Sequence, residues 1–139
     1  MRRQCGLMVL VLAAVLAGCG GHDSHGAGGT GPGAPVMLND ISVATVLDAM
    51  AKAKLPVLNA RDTTSSRCPE AGCVQATDTD TVSILKFPST GRAELYAAAV
   101  RDMLQVEDIV VVYAPTLTDG QKAAYGQVVK HTMLTPVSP

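Results

Sequence analysis

Cys68 and Cys73 enclose Pro69-Glu70-Ala71-Gly72, and they are the first residues in this chain whose spacing suggests chemistry. Two such thiols can close a disulfide, supply half of a zinc site or, as thiolates, exchange disulfides. A redox centre usually spaces its cysteines C-x-x-C at a helix N-terminus, which depresses the thiol pKa. Here four residues intervene and one is proline. No other Cys or His lies nearby in sequence to complete a tetrahedral metal site. The spacing favours a structural disulfide, a bond that persists outside the cytoplasm. It would pin a long loop to the strand that follows. His22-Asp23-Ser24-His25 offers two imidazoles and a carboxylate to copper or zinc, but the glycines around it pre-organise nothing. His131 reads as a surface residue or helix-end cation. Asp78, Asp80 and Glu107-Asp108 are too few oxygens for a calcium loop, and Asp78-Thr79-Asp80 reads as a turn. No G-x-S-x-G, P-loop or dinucleotide fingerprint occurs. We expect no catalytic residues, no cofactor and no enzymatic activity.

These residues need elements to position them. Val43, Val46, Leu47 and Met50 recur at helical spacing. Asn39, Asp40 and Ser42 are N-cap candidates, and Leu55-Pro56 is a stop. Val57 to Arg67 reads as a polar loop. Val74–Thr77 and Thr81–Phe87 form a β-hairpin in this reading. Ser89 or Thr90 caps a second helix with Ala93, Tyr96, Ala97, Val100 and Met103 on one face. Ile109–Tyr113 is a β-branched run suited to a central strand. Thr118 and Gln121 form a capping box for a last helix with Tyr125, Val128, Val129 and Thr132 or Met133 as its stripe. The expected fold is α+β in the order α-β-β-α-β-α. It has a small, mostly antiparallel three-stranded sheet, with helices covering mainly one face. A right-handed crossover would set the third strand beside the first and parallel to the second.

The N-terminus points to a location. Arg2 and Arg3 precede a mostly apolar run from Leu7 to Leu16, the layout of a secretory signal. The run is too short for a spanning helix of about 20 residues. Its end, Leu16-Ala17-Gly18-Cys19, resembles the lipobox of bacterial lipoproteins. That resemblance implies diacylglyceryl transfer (palmitate is a typical chain) to the Cys19 thiol, and cleavage before it that removes residues 1–18. Two or three acyl chains anchor stably where one does not. Gly20 is not the aspartate associated with inner-membrane retention, so outer-membrane sorting stays open where a host has one. From Gly20 to Pro35, seven of sixteen residues are glycine. Such a segment lacks the apolar surface to offset its ordering entropy, and it reads as a tether spanning roughly 20–25 Å. Residues 36–139 then form one globular domain.

Without Arg2 and Arg3, nine basic residues face twelve acidic ones, a formal charge near −3. No basic run occurs, so neither nucleic acid nor an anionic membrane surface is an expected partner. The membrane link would be the lipid on Cys19. Gly72 to Gln75, Thr77, Asp78, Phe87 and Tyr96 resemble short motifs of small actinobacterial envelope lipoproteins, a likeness that implies no catalytic residues. The expected function is a lipid-anchored cell-envelope binding or accessory module. Its contacts would come from the loop over Val57–Cys73, through Arg61, Asp62, Arg67 and Glu70, because binding residues concentrate on positioned loops. The partner would be an envelope protein or a small ligand. The alternative is an envelope metal or redox handler using His22 and His25, or Cys68 and Cys73.

Overall fold

The structure, a computed structural model, describes residues 39–135. Leu16–Cys19, the His22/His25 pair and the Gly-rich segment lie outside the described residues.

Helix α1 (Val43–Lys52) starts where Ser42 accepts a hydrogen bond from the Thr45 amide. Gln75 Oε1 reaches across to accept from the Val43 N–H at 3.0 Å. Two of the orphan donors at the helix start are thereby satisfied. Val43, Val46 and Met50 are its buried stripe. The two-residue strand β1 (Arg61–Asp62) leads directly into helix α2 (Thr64–Ala71). Strands β2 (Gln75–Asp78) and β3 (Val82–Lys86) form the expected hairpin. Ser89 caps helix α3 (Thr90–Ala97), and a second hairpin follows, β4 (Met103–Val106) with β5 (Ile109–Tyr113). Thr118 and Gln121 make the reciprocal capping box that opens helix α4 (Asp119–Leu134).

The class is α+β, with four helices and five strands among the described residues. The sheet runs β1-β2-β3-β5-β4 with every pair antiparallel. Three expectations are corrected. The sheet has five strands, not three, so the order is α-β-α-β-β-α-β-β-α. The Ile109–Tyr113 strand lies beside the second hairpin strand and antiparallel to it, with Ile84 opposite Val111. The extra strand β4 accounts for this: a chain returning through β4 and a tight turn enters β5 in the opposite sense to a direct crossover. Finally, helices cover both faces.

The β3 and β5 side chains alternate to feed two cores. Val82, Ile84, Ile109, Val111 and Tyr113 pack against α1 and α4, with Met50, Tyr125, Val129 and Met133. Leu85, Phe87 and Val110 pack the other way, against Ala93 and Ala97 of α3 and Cys68 and Ala71 of α2. Burial on both faces explains why Ile109–Tyr113 is apolar without alternation.

Candidate functional site

Helix α2 occupies much of what reads in sequence as the contact loop, and it has few of the marks of a helix. It carries Pro69 in its interior, has no side-chain cap at Thr63, and fully buries none of its residues. Tertiary bonds hold it. The Thr63 amide donates to the Ala76 carbonyl at 2.9 Å. The Thr64 hydroxyl accepts from the Ala76 amide at 3.0 Å, so the side chain takes the place of a ladder partner after β1 ends. Asp62 accepts from the Thr64 amide at 2.8 Å. Bonds from the Thr64 hydroxyl first, and its amide second, hold the Asp62 carboxyl below the ordinary aspartate range. At the far end Gly72 adopts φ 75°, a left-handed conformation that glycine reaches without strain, and its amide bonds the Cys68 carbonyl. That reversal brings Cys73 back beneath Cys68, with Cα atoms 4.5 Å apart and the two sulfurs bonded. The disulfide therefore joins the last turn of α2 to the approach to β2, and it does not clamp a loop.

Beside this staple, α2 and α3 flank a groove of about 550 Å³. Arg67 and Glu70 line one wall, and Arg92 and Leu95 the other, with Ala71 and Tyr96 between them. Arg67 is held by Asp78, Nε to Oδ2 at 3.4 Å. Arg92 and Glu70 make no ion pair among the described residues. Leu95 stands 70% exposed, and the Tyr96 ring is fixed against Phe87 with centroids 5.2 Å apart. The groove thus offers two guanidiniums, that of Arg67 already paired with Asp78, one carboxylate and the apolar surfaces of Ala71, Leu95 and Tyr96.

Of the four expected contact residues, Arg67 and Glu70 share this groove. Arg61 and Asp62 sit apart on β1: Asp62 lines a smaller hollow with Ser42, Val43 and Gln75, towards α1. Arg92 and Leu95 are the residues that reading the sequence passes over. The signal was available, since they lie on the flank of a helix whose stripe is Ala93, Tyr96 and Ala97. With α2 read as a loop there was no second wall to set them against. Cys68 and Cys73 are spent on each other. Among the described residues no three His, Cys, Asp or Glu side chains come together to hold a metal, and no helix is long and apolar enough to cross a membrane.

Comparison with known proteins returns no relative: no family model, no curated protein and no solved structure matches this chain.

Proposed function

We propose that the chain is a lipid-anchored, extracytoplasmic binding module, attached through Cys19, whose α2–α3 groove takes an acidic peptide segment of an envelope protein. The groove is the observation that carries this reading. A segment with one apolar residue and one or two carboxylates would set the apolar side chain on Leu95 and Tyr96. Its acids would meet Arg92 and Arg67, with Glu70 rejecting the reverse charge pattern. Arg is suited to this role because its planar fork matches a carboxylate. The disulfide supports an oxidising compartment, as does the lipobox-like Leu16-Ala17-Gly18-Cys19.

The test places a photo-crosslinking amino acid at Leu95 in the full-length protein in living cells, with the same probe at exposed Lys54 as control. A discrete crosslinked protein is expected from position 95 alone, at least tenfold weaker in Arg92→Glu. If positions 95 and 54 give the same products, or Arg92→Glu changes nothing, the groove is not the binding face.

A further inference from the structure

Lys86, Asn39 and Asp108 come from three separate places in the chain and meet in one cluster. Lys86 is on β3, Asn39 precedes α1, and Asp108 lies in the turn between β4 and β5. Both Lys86 and Asp108 are buried. The ammonium donates to the Asn39 carbonyl and to Asn39 Oδ1, each at 3.0 Å, and to the Ile41 carbonyl at 2.6 Å. An ammonium has three donors, so none is left for Asp108 Oδ2, although that oxygen stands 3.3 Å from Nζ. Oδ2 is accordingly a buried atom without a hydrogen-bond partner among the described residues. Leaving an oxygen orphaned is unfavourable, more so on a charged group. The cluster holds one acceptor too many, and it sits on the group best able to take a proton.

The second oxygen of that carboxylate lies on an amide. Asp108 Oδ1 accepts from Asn39 Nδ2 at 2.7 Å. One carboxylate thus bridges an amine nitrogen and an amide nitrogen, while the amide oxygen accepts from the same amine. This brings together the parts of an acyl transfer: nucleophile, carbonyl, leaving group and proton carrier. Nζ is 3.0 Å from Asn39 Oδ1. The amide carbon, about 1.2 Å from that oxygen, therefore lies within roughly 4.2 Å of Nζ. The last torsion of an asparagine side chain is soft, so the carbon can turn onto the nitrogen without backbone movement. Nδ2 also donates to the exposed Glu107 at 2.9 Å, which puts the leaving nitrogen on the side open to solvent.

We propose that Lys86 and Asn39 join in an isopeptide bond, with Asp108 carrying the protons. Asp108 Oδ2 takes a proton from the ammonium, and the amine nitrogen attacks Asn39 Cγ. Asp108 passes one proton to Nδ2 and takes a second from Nζ, the Cγ–Nδ2 bond breaks, and ammonia leaves. Nζ keeps one hydrogen in the new amide, and Asp108 ends as the neutral acid. The reaction needs no oxidant or other co-reactant. Its product replaces a buried ion pair by a neutral amide and a neutral acid, and buried charge is what a low-dielectric interior penalises. Freshly folded chain holds these groups as an ion pair, and that form is the one in which the pair's own stability is measured. The bond links residues 47 apart and ties the start of the domain to the central strand of the sheet. Under the anchoring proposed through Cys19, a pull on the anchor reaches this bond before it reaches α1. That consequence rests on the anchoring; the bond itself does not.

The native protein, reduced, alkylated and digested with trypsin, decides the matter by peptide mass. We expect the peptide ending at Lys52 to be joined to Cys68–Arg92, with no cut after Lys86. The joined mass should fall short of the two separate peptides by one ammonia. Asn39→Ala keeps Lys86 and Asp108 paired, and it should be cut after Lys86 with no branched peptide. Asp108→Asn should stay unlinked, with circular dichroism reporting its fold. Separate peptides and an ordinary cut after Lys86 in the native protein would overturn the proposal. So would loss of ammonia with that cut retained, the mark of Asn39 cyclising onto the Asp40 amide. A folded Asp108→Asn that links as completely as the native protein would overturn the role of Asp108.

Discussion

Lys86 shows how much one side chain can hold. It lies on β3 where alternation turns it towards α1, and it is 1% exposed. Its ammonium donates to the Asn39 carbonyl and Oδ1, both at 3.0 Å, and to the Ile41 carbonyl at 2.6 Å. It also lies 3.3 Å from a carboxylate oxygen of Asp108, which is fully buried. Asn39 completes the cluster by donating to Asp108 at 2.7 Å. The segment leading into α1 is thus tied to the β4–β5 turn through a buried charge pair. Such a pair is poor evidence of net stability, but removing one partner leaves the other charged and dry. Lys86→Met should therefore cost about 3–5 kcal/mol in urea unfolding. Lys86→Met with Asp108→Leu should recover most of that loss. A single variant costing under about 1 kcal/mol would mean the ammonium does not hold the cluster.

Among the elements, α2 depends most on its surroundings. Proline in its interior removes a donor, and its best local asset is the left-handed Gly72. Cross-linking Cys68 to Cys73 closes a small ring, for which the chain-entropy account gives about 2 kcal/mol. We expect Cys68→Ser with Cys73→Ser to lower stability by about that amount and to raise amide exchange in Thr64–Ala71 first, leaving β3 and β5 protected. Uniform loss of protection across the sheet would show that the disulfide supports the whole domain and not one helix. The second hairpin is a parallel case. Val100 and Met103 continue the α3 stripe in sequence, but the helix tightens and ends: Ala99 and Val100 donate to Tyr96 and Ala97. Asp102 then takes φ 52°, and its carbonyl accepts from the Tyr113 amide, which starts the pairing of β4 with β5. Aspartate tolerates that left-handed step better than most residues. Nothing in the apolar spacing announces it.

For the molecule as a whole, a five-stranded sheet covered by helices on both faces gives two cores with separate edges. The α2–α3 groove lies on one side of the sheet, and α1 and α4 cover the other. Anchoring itself is tested by the intact mass of the native protein. We expect loss of residues 1–18, two or three acyl chains on Cys19, and thiol alkylation only after reduction. An unlipidated mass would remove the membrane from the proposal, and free thiols in the native protein would remove the oxidising compartment.

How much could be read from residue order follows the range of the interactions involved. Helices α1 and α4 were legible because local signals agree there: Ser42 or Thr118 satisfies the first amides, and an apolar stripe continues behind it. The β2–β3 hairpin and the β5 strand were legible for the same reason, and so was the pairing of Cys68 with Cys73. Helix α2 was not, because Thr64 bonds Ala76 twelve residues away in place of a local cap. Strand β4 was not, because a positive φ at Asp102 overrides a helical spacing. The candidate site was half legible. Arg67 and Glu70 stand out as charges beside a cysteine pair, but Arg92 and Leu95 acquire meaning only when α3 packs alongside α2. Local backbone bonds and periodic burial are written in neighbouring residues; grooves arise from distances between residues far apart in the chain.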